Sequence, residues 1–346
     1  MTERITMRDV AVKAGVGIAT VDRVLNGRRK VREENAQRVY QAAIELGYYA
    51  APVIQYRLQE AAPTATFGFV LPKGQQPFYQ NLSNKLQQEV ERCTAIRGKV
   101  VIRYAKTQLS GEFAELLTDM RGQADIVAAS AVDHPTVTLA VEQLAAAGIA
   151  TFSLLNDFAS PVRHSFVGLD NMKIGRTAGW MLANSLREPG NVSILMGSHL
   201  WQGHQLRELG FRSYLREYAP ELQLSDAVLN LETSQITYEM MADLLATTPD
   251  LRGIYITGGG MEGAIRALRE MREPGEVRLI VHPYNQESRQ ALAERYVSMI
   301  IGTPLQELCR WLIGRMTDTL LDKQTTLQGQ HFLHPQIFLP ESGRYD

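Results

Sequence analysis

Residues 6–26, TMRDVAVKAGVGIATVDRVLN, decide how this chain is read. Thr6 followed three residues later by Asp9 is a capping-box start, and it predicts a helix from Met7 to Ala14 with Val10 and Ala11 facing inward. Gly15 ends that helix, because glycine accepts the left-handed cap conformation. Gly17 leads into a second helix, Ile18 to Asn26. At about 100° per residue, Val21, Val24 and Leu25 fall on one arc, and Ile18, Ala19, Asp22, Arg23 and Asn26 on the opposite one. Asn26-Gly27 stops the helix. Two short helices joined by a glycine turn present the second one to the major groove of DNA, where its N-terminal part reads bases.

Working outward, a third helix is expected from Glu33 to Leu46. Its apolar positions Ala36, Val39, Tyr40 and Ala43 recur at helical spacing, and Gly47 ends it. Residues 1–50 hold nine Lys or Arg and six Asp or Glu, a net +3 on a chain whose total is −1. A local basic excess suits a footprint on phosphates. Arg28, Arg29, Lys30 and Arg32, after the second helix, are phosphate-contact candidates.

Apolar spacing alone would fit any small three-helix unit. The longer string T-x-x-D-V-A-x-x-A-G-V-x-x-x-T-V-x-R-V-L-N is more specific, and it resembles the N-terminal signature of the LacI/GalR family of bacterial transcription regulators. The resemblance implies a DNA-facing set of Thr6, Ile18, Ala19, Thr20, Asp22, Arg23, Asn26, Arg28 and Arg29. Arg23 would grip a base edge, such as guanine in bidentate fashion. Ile18 and Ala19 stand at the family's variable reading positions, and being apolar they suit thymine methyls. Three residues depart from the pattern. Asp22 replaces a usual serine and either accepts from a group such as cytosine N4 or pairs with Arg23 or a neighbouring Arg. Gly17 replaces a serine cap, and Arg32 replaces a Ser or Thr cap.

Residues 48–65, YYAAPVIQYRLQEAAPTA, are alanine-rich and bounded by Pro52 and Pro63. They separate a DNA-binding domain (1–49) from an effector domain (66–346) by a hinge (50–65). The resemblance implies a hinge helix, here Val53 to Glu60, with Leu58 as a minor-groove wedge. Leu58 lies one position later than the family pattern, so a plain linker is the other reading.

From Thr66 onward, short β-branched runs alternate with helical stretches. The strands expected are 67–71, 99–104, 125–130, 150–155, 165–169, 192–197, 253–257, 277–282 and 297–301. Repeated βαβ units imply a parallel sheet covered on both faces, and the length calls for two lobes. The fold class is therefore α/β: a small all-α helix-turn-helix headpiece plus a two-lobed doubly wound parallel-sheet domain. This resembles the type I periplasmic-binding-protein fold of LacI-family effector domains. Lobe one is placed at 66–168 and 299–325, lobe two at 169–298 and 326–346.

Pocket candidates come from strand ends facing the cleft. Gln76, Phe78 and Tyr79 are similar to the aromatic stretch of sugar-binding relatives. Arg207 matches the arginine that grips ligand hydroxyls or acids there. Asp170 and Asn171 open a helix, and N-capping accounts for Asn171, while Asp170 is a candidate for the cleft. Asn156 and Asp157, Gly258, His282 and Thr303 complete the set. Carboxylates that clamp sugar hydroxyls are mostly absent from the family's positions, which leaves Arg207 without an acidic partner. Glycine amides at 258–260 would add donors. The effector expected is a sugar-like or polyol molecule, or its acid or phosphate derivative.

A rival from another class is a nicotinamide-cofactor enzyme, since GGGMEG (258–263) matches G-x-G-x-x-G. It lies late in the chain and lacks the acid about twenty residues on, so a tight turn explains it better. A regulator with a degenerate, ligand-independent pocket is the other alternative. No Ser/His/Asp order or nucleophile elbow is present, no catalytic residue or cofactor is assigned, and His199 and His204 are weak evidence for a metal. MTERITMRDV is charged, with no apolar signal, and no apolar run approaches about eighteen residues. Cys93 and Cys309 read as free thiols of a reducing cytoplasm. The expectation is a cytoplasmic homodimeric repressor that binds a pseudo-palindromic double-stranded operator under control of a small effector, with no membrane contact.

Overall fold

The computed structural model describes residues 5–27, 31–60, 62–322 and 329–342. Helix α1 (Met7–Ala14) opens with Thr6: its hydroxyl accepts from the Asp9 amide while the Asp9 carboxylate accepts from the Thr6 amide, and Gly15 closes the helix at φ 63°. Helix α2 (Ile18–Asn26) starts at Gly17 without a side-chain cap and ends at Gly27, φ 64°. Helix α3 (Glu33–Glu45) starts at Arg32, also uncapped by a side chain. Val10, Ala11, Val21, Val24, Val39, Tyr40 and Ala43 meet in a core of their own, so the headpiece is a separate packing unit.

Helix α4 (Ala51–Glu60) covers the expected hinge and starts two residues earlier than the sequence suggests. Pro52 stands in its first turn, where a missing N–H costs nothing. Ile54 is buried in the headpiece core. The other face of α4 turns to the effector domain, which begins with β1 (Thr64–Pro72), α5 (Pro77–Arg92) and β2 (Arg97–Ala105). Gln55 donates to the Glu91 carbonyl at 2.6 Å, and Gln59 to the Glu91 and Cys93 carbonyls at 2.8 and 2.9 Å. The Glu91 carbonyl is one of the last of α5, which no intrahelical amide can satisfy, and Cys93 is the cap residue that follows. Thr94 adds a bond to Gln37 of α3 at 2.6 Å.

The chain continues through α6 (Ser110–Asp119), β3 (Ile126–Ala129), α7 (Pro135–Ala146), β4 (Thr151–Leu154), β5 (Ser165–Leu169), α8 (Asn171–Ser185), β6 (Asn191–Met196) and α9 (Gln202–Tyr218). Then come β7 (Gln223–Leu224), β8 (Val228–Leu229), α10 (Ser234–Thr247), β9 (Leu251–Ile256), α11 (Met261–Met271), β10 (Arg278–Val281) and α12 (Gln286–Ala293). The last elements are β11 (Met299–Gly302), α13 (Leu305–Leu321), β12 (Gln330–Leu333) and β13 (Gln336–Phe338). Two sheets result, ordered β12-β5-β4-β3-β1-β2 and β13-β11-β10-β9-β6-β7, with β8 also on β6. Within them every pairing is parallel except β11 with β13. Each expected strand has its counterpart; burial on both faces explains the apolar runs of the inner strands, while β2, at the edge of its sheet, keeps Lys99 and Arg103 on an exposed face.

The lobe boundaries differ from the sequence reading at the C-terminal end. Strand β11, expected to return to lobe one, pairs with β10 in the second sheet. It is α13 that returns, packing on α5. Strand β12 then joins β5 in the first sheet, within a stretch assigned to lobe two. MIIG at β11 is apolar throughout and fits either sheet, so its composition does not choose between them. The chain crosses between the lobes after β5, after β11 and after β12, which makes a three-strand waist.

Helices α8 and α9 cross at their glycines. A Cβ on Gly175 would overlap the Arg207 carbonyl, and one on Gly210 the Met172 carbonyl. That close approach fixes where α9 sits against α8.

Candidate functional site

Two sites follow, one on the headpiece and one between the lobes. On α2, Ile18 is 48% exposed, and Ala19, Arg23 and Asn26 are exposed beside it. Thr20 and Asp22 are half-buried. The Arg23 side chain is exposed and makes no hydrogen bond or ion pair among the described residues, so its guanidinium is free on the outer side of α2 with Ile18 and Ala19. Asp22 accepts from Asn26 at 2.7 Å. Its intrahelical partner is thus an amide and not the arginine expected, and the carboxylate is directed along the helix. Thr6 is engaged in the capping box, and its hydrogen bonds hold the Asp9 carboxyl below its ordinary range. Leu58 is half-buried against the headpiece core, so in this conformation it is not presented as a wedge. Arg28, Arg29 and Lys30 lie outside the described residues.

The second site is a cavity of about 130 Å³ between the lobes. At roughly 10–15 Å³ per water it takes on the order of ten water-sized groups, the size of a monosaccharide. Its walls are the C-terminal ends of parallel strands and the helix starts that follow them, where open α/β sheets bind ligands. From lobe one come Gln76, Phe78 and Tyr79 at the start of α5, Ser130 after β3, and Leu155 and Asn156 after β4. From lobe two come Trp201 just before α9, Gly203, His204 and Arg207 of α9, Glu232 after β8, Gly258 and Gly259 after β9, His282 after β10 and Thr303 after β11. Phe78 and Tyr79 meet edge to face at 5.1 Å. Burial raises the Tyr79 hydroxyl to about 12, so it serves as a neutral donor.

Arg207 is half-buried, with one face bordering the cavity, and desolvation by that burial lowers its pKa. Its Nε donates to Asn171 Oδ1 and its Nη1 to the Thr257 carbonyl, both at 2.7 Å. The roles of 170 and 171 are therefore the reverse of the sequence reading. Asp170 caps α8 by accepting from the Lys173 amide at 3.1 Å, and it does not line the cavity. Asn171, one residue inside the helix, turns into the cleft and holds the arginine. Asp157 is also outside the cavity: it pairs with Arg163 at 2.7 Å and accepts from Gln330 at 2.8 Å, bracing the strand that crosses back to lobe one. Asn156 lines the cavity but is bonded across it, donating to the Ala131 carbonyl and accepting from the Gly203 amide at 2.9 Å.

The sequence reading missed an acid. Glu232 forms an ion pair with Lys73, which comes from the other lobe. It also accepts from the Gly259 amide at 3.1 Å. The glycines at 258–259 thus make room for Glu232 and His204, whose atoms a Cβ on Gly258 would meet at 2.9 and 2.8 Å. One of the amides expected to receive an anion is already engaged, and the G-x-G-x-x-G match serves packing. Leu231 and Glu232 both have positive φ, 51° and 55°, and no sequence motif marks them. Trp201 was missed as well. Though on lobe two, it is 5% exposed and sits in the second apolar cluster of lobe one, edge-on to Phe113, with its indole N–H donating to Gln108 at 2.6 Å.

Two histidines line the cavity in neutral form. His282 Nδ1 donates to the Ile301 carbonyl at 2.8 Å, which leaves Nε2 to accept from the Tyr255 hydroxyl at 3.2 Å. Burial and then Arg207 hold it well below 6.5, and the same causes bring His204 to about 3. Unfolding frees both to protonate at ordinary pH, so the folded state binds fewer protons below pH 6.5. Stability from these groups is present above 6.5 and is lost as pH falls, by up to about 1.4 kcal/mol per pH unit for each. Thermal melts between pH 7.5 and 5 are expected to show that decline, and His282→Gln is expected to flatten it.

Among the described residues there is no cluster that would hold a metal ion, and no helix is long and apolar enough to cross a membrane. Cys93 and Cys309 are free.

Residues 6–50 match the model of bacterial regulatory proteins of the lacI family, and residues 67–324 that of a periplasmic binding protein domain. The chain is 27% identical over 270 residues to the HTH-type transcriptional regulator GalS of Salmonella typhimurium, covering 77% of this chain and 76% of that one. It is 22% identical over 338 residues to the sucrose operon repressor of Pediococcus pentosaceus, covering 94% and 96%. Among solved structures, a periplasmic solute-binding protein from Actinobacillus succinogenes 130z with bound D-allose superposes with a TM-score of 0.73 at 16% identity, covering 80% of this chain and 98% of that one. A solute-binding protein from Bacillus halodurans C-125 with bound myo-inositol does so with a TM-score of 0.72 at 14% identity, covering 81% and 96%.

Proposed function

The chain belongs to the LacI family of bacterial regulatory proteins, and from that premise we propose that it is an effector-responsive repressor acting in the cytoplasm. It binds a pseudo-palindromic operator as a homodimer, one α2 in the major groove of each half-site, and is controlled by a sugar-like or polyol molecule in the interlobe cavity. The observation that carries this reading is one chain with an unpaired Arg23 on an exposed helix face at one end and a monosaccharide-sized polar cavity at the other. Helix α4 touches both units. The sucrose operon repressor and the structures holding D-allose and myo-inositol support the effector class.

The lobes close on the effector through groups that exist only when they meet, so a ligand that binds the closed form better shifts the population toward it. By linkage, operator and effector affinities then change by the same factor. Dimerisation raises operator affinity because a single small headpiece makes few phosphate contacts.

Selection from a library of randomised palindromes, followed by anisotropy titration with and without a panel of sugars and polyols, tests the proposal. An enriched palindrome whose affinity changes with one panel member is the expected result. Arg23→Ala is expected to cost about 1–3 kcal/mol on that operator and to relax the base preference at one position per half-site. An Arg23→Ala protein with the same base preference would remove Arg23 from base reading.

A further inference from the structure

The cleft presents a charge balance that its effector must meet. Arg207 is desolvated there, and both of its hydrogen-bond partners, Asn171 Oδ1 and the Thr257 carbonyl, are neutral. Among the described residues, Glu232 is the one carboxylate lining the cavity, and Lys73 and the Gly259 amide already hold it. Lys73 and Glu232 cancel. His204 and His282 are uncharged. The wall is left with one net positive charge, that of Arg207. A guanidinium removed from water without a counter-ion is costly, and desolvated charges are ordinarily paired.

We propose that the effector is a monosaccharide-sized monocarboxylate, of the aldonic or uronic acid class, whose carboxylate lies against Nη2 and the remaining Nη1 hydrogen of Arg207. The inference rests on the cavity being the effector site. Two parallel N–H donors match the two oxygens of a carboxylate, and such forks are stronger than neutral hydrogen bonds. A phosphate ester fits less well. It brings close to two negative charges at neutral pH against one positive, and the further donors it needs, Lys73 and the Gly259 amide, are engaged by Glu232. A neutral sugar leaves the guanidinium without a counter-charge. The apolar walls, Phe78, Tyr79 and Trp201, suit the C–H face of the same molecule.

The test is calorimetric titration of the full-length protein with common hexoses and pentoses, each offered as the neutral sugar, the aldonate or uronate, and the phosphate ester. The expected best binder is an acid, at least about tenfold tighter than its neutral and phosphorylated counterparts. Glu232→Gln raises the net charge of the wall by one, and is expected to move the acid-to-phosphate preference at least about tenfold toward phosphate. Arg207→Gln is expected to erase the acid-over-neutral preference; if that protein does not fold, the Glu232→Gln ratio carries the test. A neutral sugar or a phosphate ester as best binder, or an unmoved ratio in Glu232→Gln, overturns the monocarboxylate and leaves the cavity as the effector site. Absence of heat with every member of the panel overturns both readings together.

Discussion

Replacing Trp201 by alanine is expected to weaken effector binding by about two to three and a half orders of magnitude while the lobes stay folded. The indole belongs to lobe two in sequence and to lobe one in packing: it lies in the cluster of Phe113 and donates to Gln108. Truncating a buried aromatic costs about 3–5 kcal/mol. On the proposed closure the indole leaves this site when the lobes separate, so the loss falls on the closed form and not on the fold of either lobe. At 1.4 kcal/mol per tenfold, that is the stated drop in affinity. Trp201 also lines the cavity, so Gln108→Ala is the companion variant. Gln108 does not line the cavity, yet it should reproduce part of the loss. Calorimetry and thermal melts of the effector-free proteins separate the cases. A lowered melt with unchanged affinity would mean that Trp201 serves lobe one alone.

Gly175→Ala is expected to cost at least about 3 kcal/mol, the upper end of the range for overpacking, and to abolish effector binding in whatever folds. The added methyl would meet the Arg207 carbonyl. Backbone cannot rotate away as a side chain would, so α8 and α9 must separate. Asn171 lies one turn before Gly175 on the same face of α8, and Arg207 lies opposite on α9. Separation therefore lengthens the Asn171–Arg207 bond of 2.7 Å and misplaces the guanidinium. Melting curves and titration of the surviving protein check both halves. An unchanged melt and unchanged affinity would show that the crossing has slack.

The headpiece was legible because its determinants are local. Thr6 and Asp9, Gly15, and the arc of Val21 and Val24 act within one or two turns, and each stands where the spacing puts it. The inner strand segments were legible because burial on both faces makes them apolar. What the sequence hid depends on distant partners. Glu232 has meaning only beside Lys73, and Trp201 only beside Phe113, and each pair brings together the two lobes. The exchange between Asp170 and Asn171 is subtler. Either residue can cap a helix, and the position of the first helical residue decides which one turns into the cleft. Strand β11 was placed in the wrong lobe because an apolar tetrapeptide fits both sheets.

Helix α5 places Phe78 and Tyr79 in the cavity at one end and offers its last carbonyls to Gln55 and Gln59 of α4 at the other. Its 16 residues make a rod of about 24 Å. A rod converts angle into distance: a tilt of about 5° about the cavity end sweeps the far end through about 2 Å. That exceeds the tolerance of a hydrogen bond. A change too small to reshape the pocket is thus enough, at the other end of the same helix, to decide whether the glutamines keep their grip.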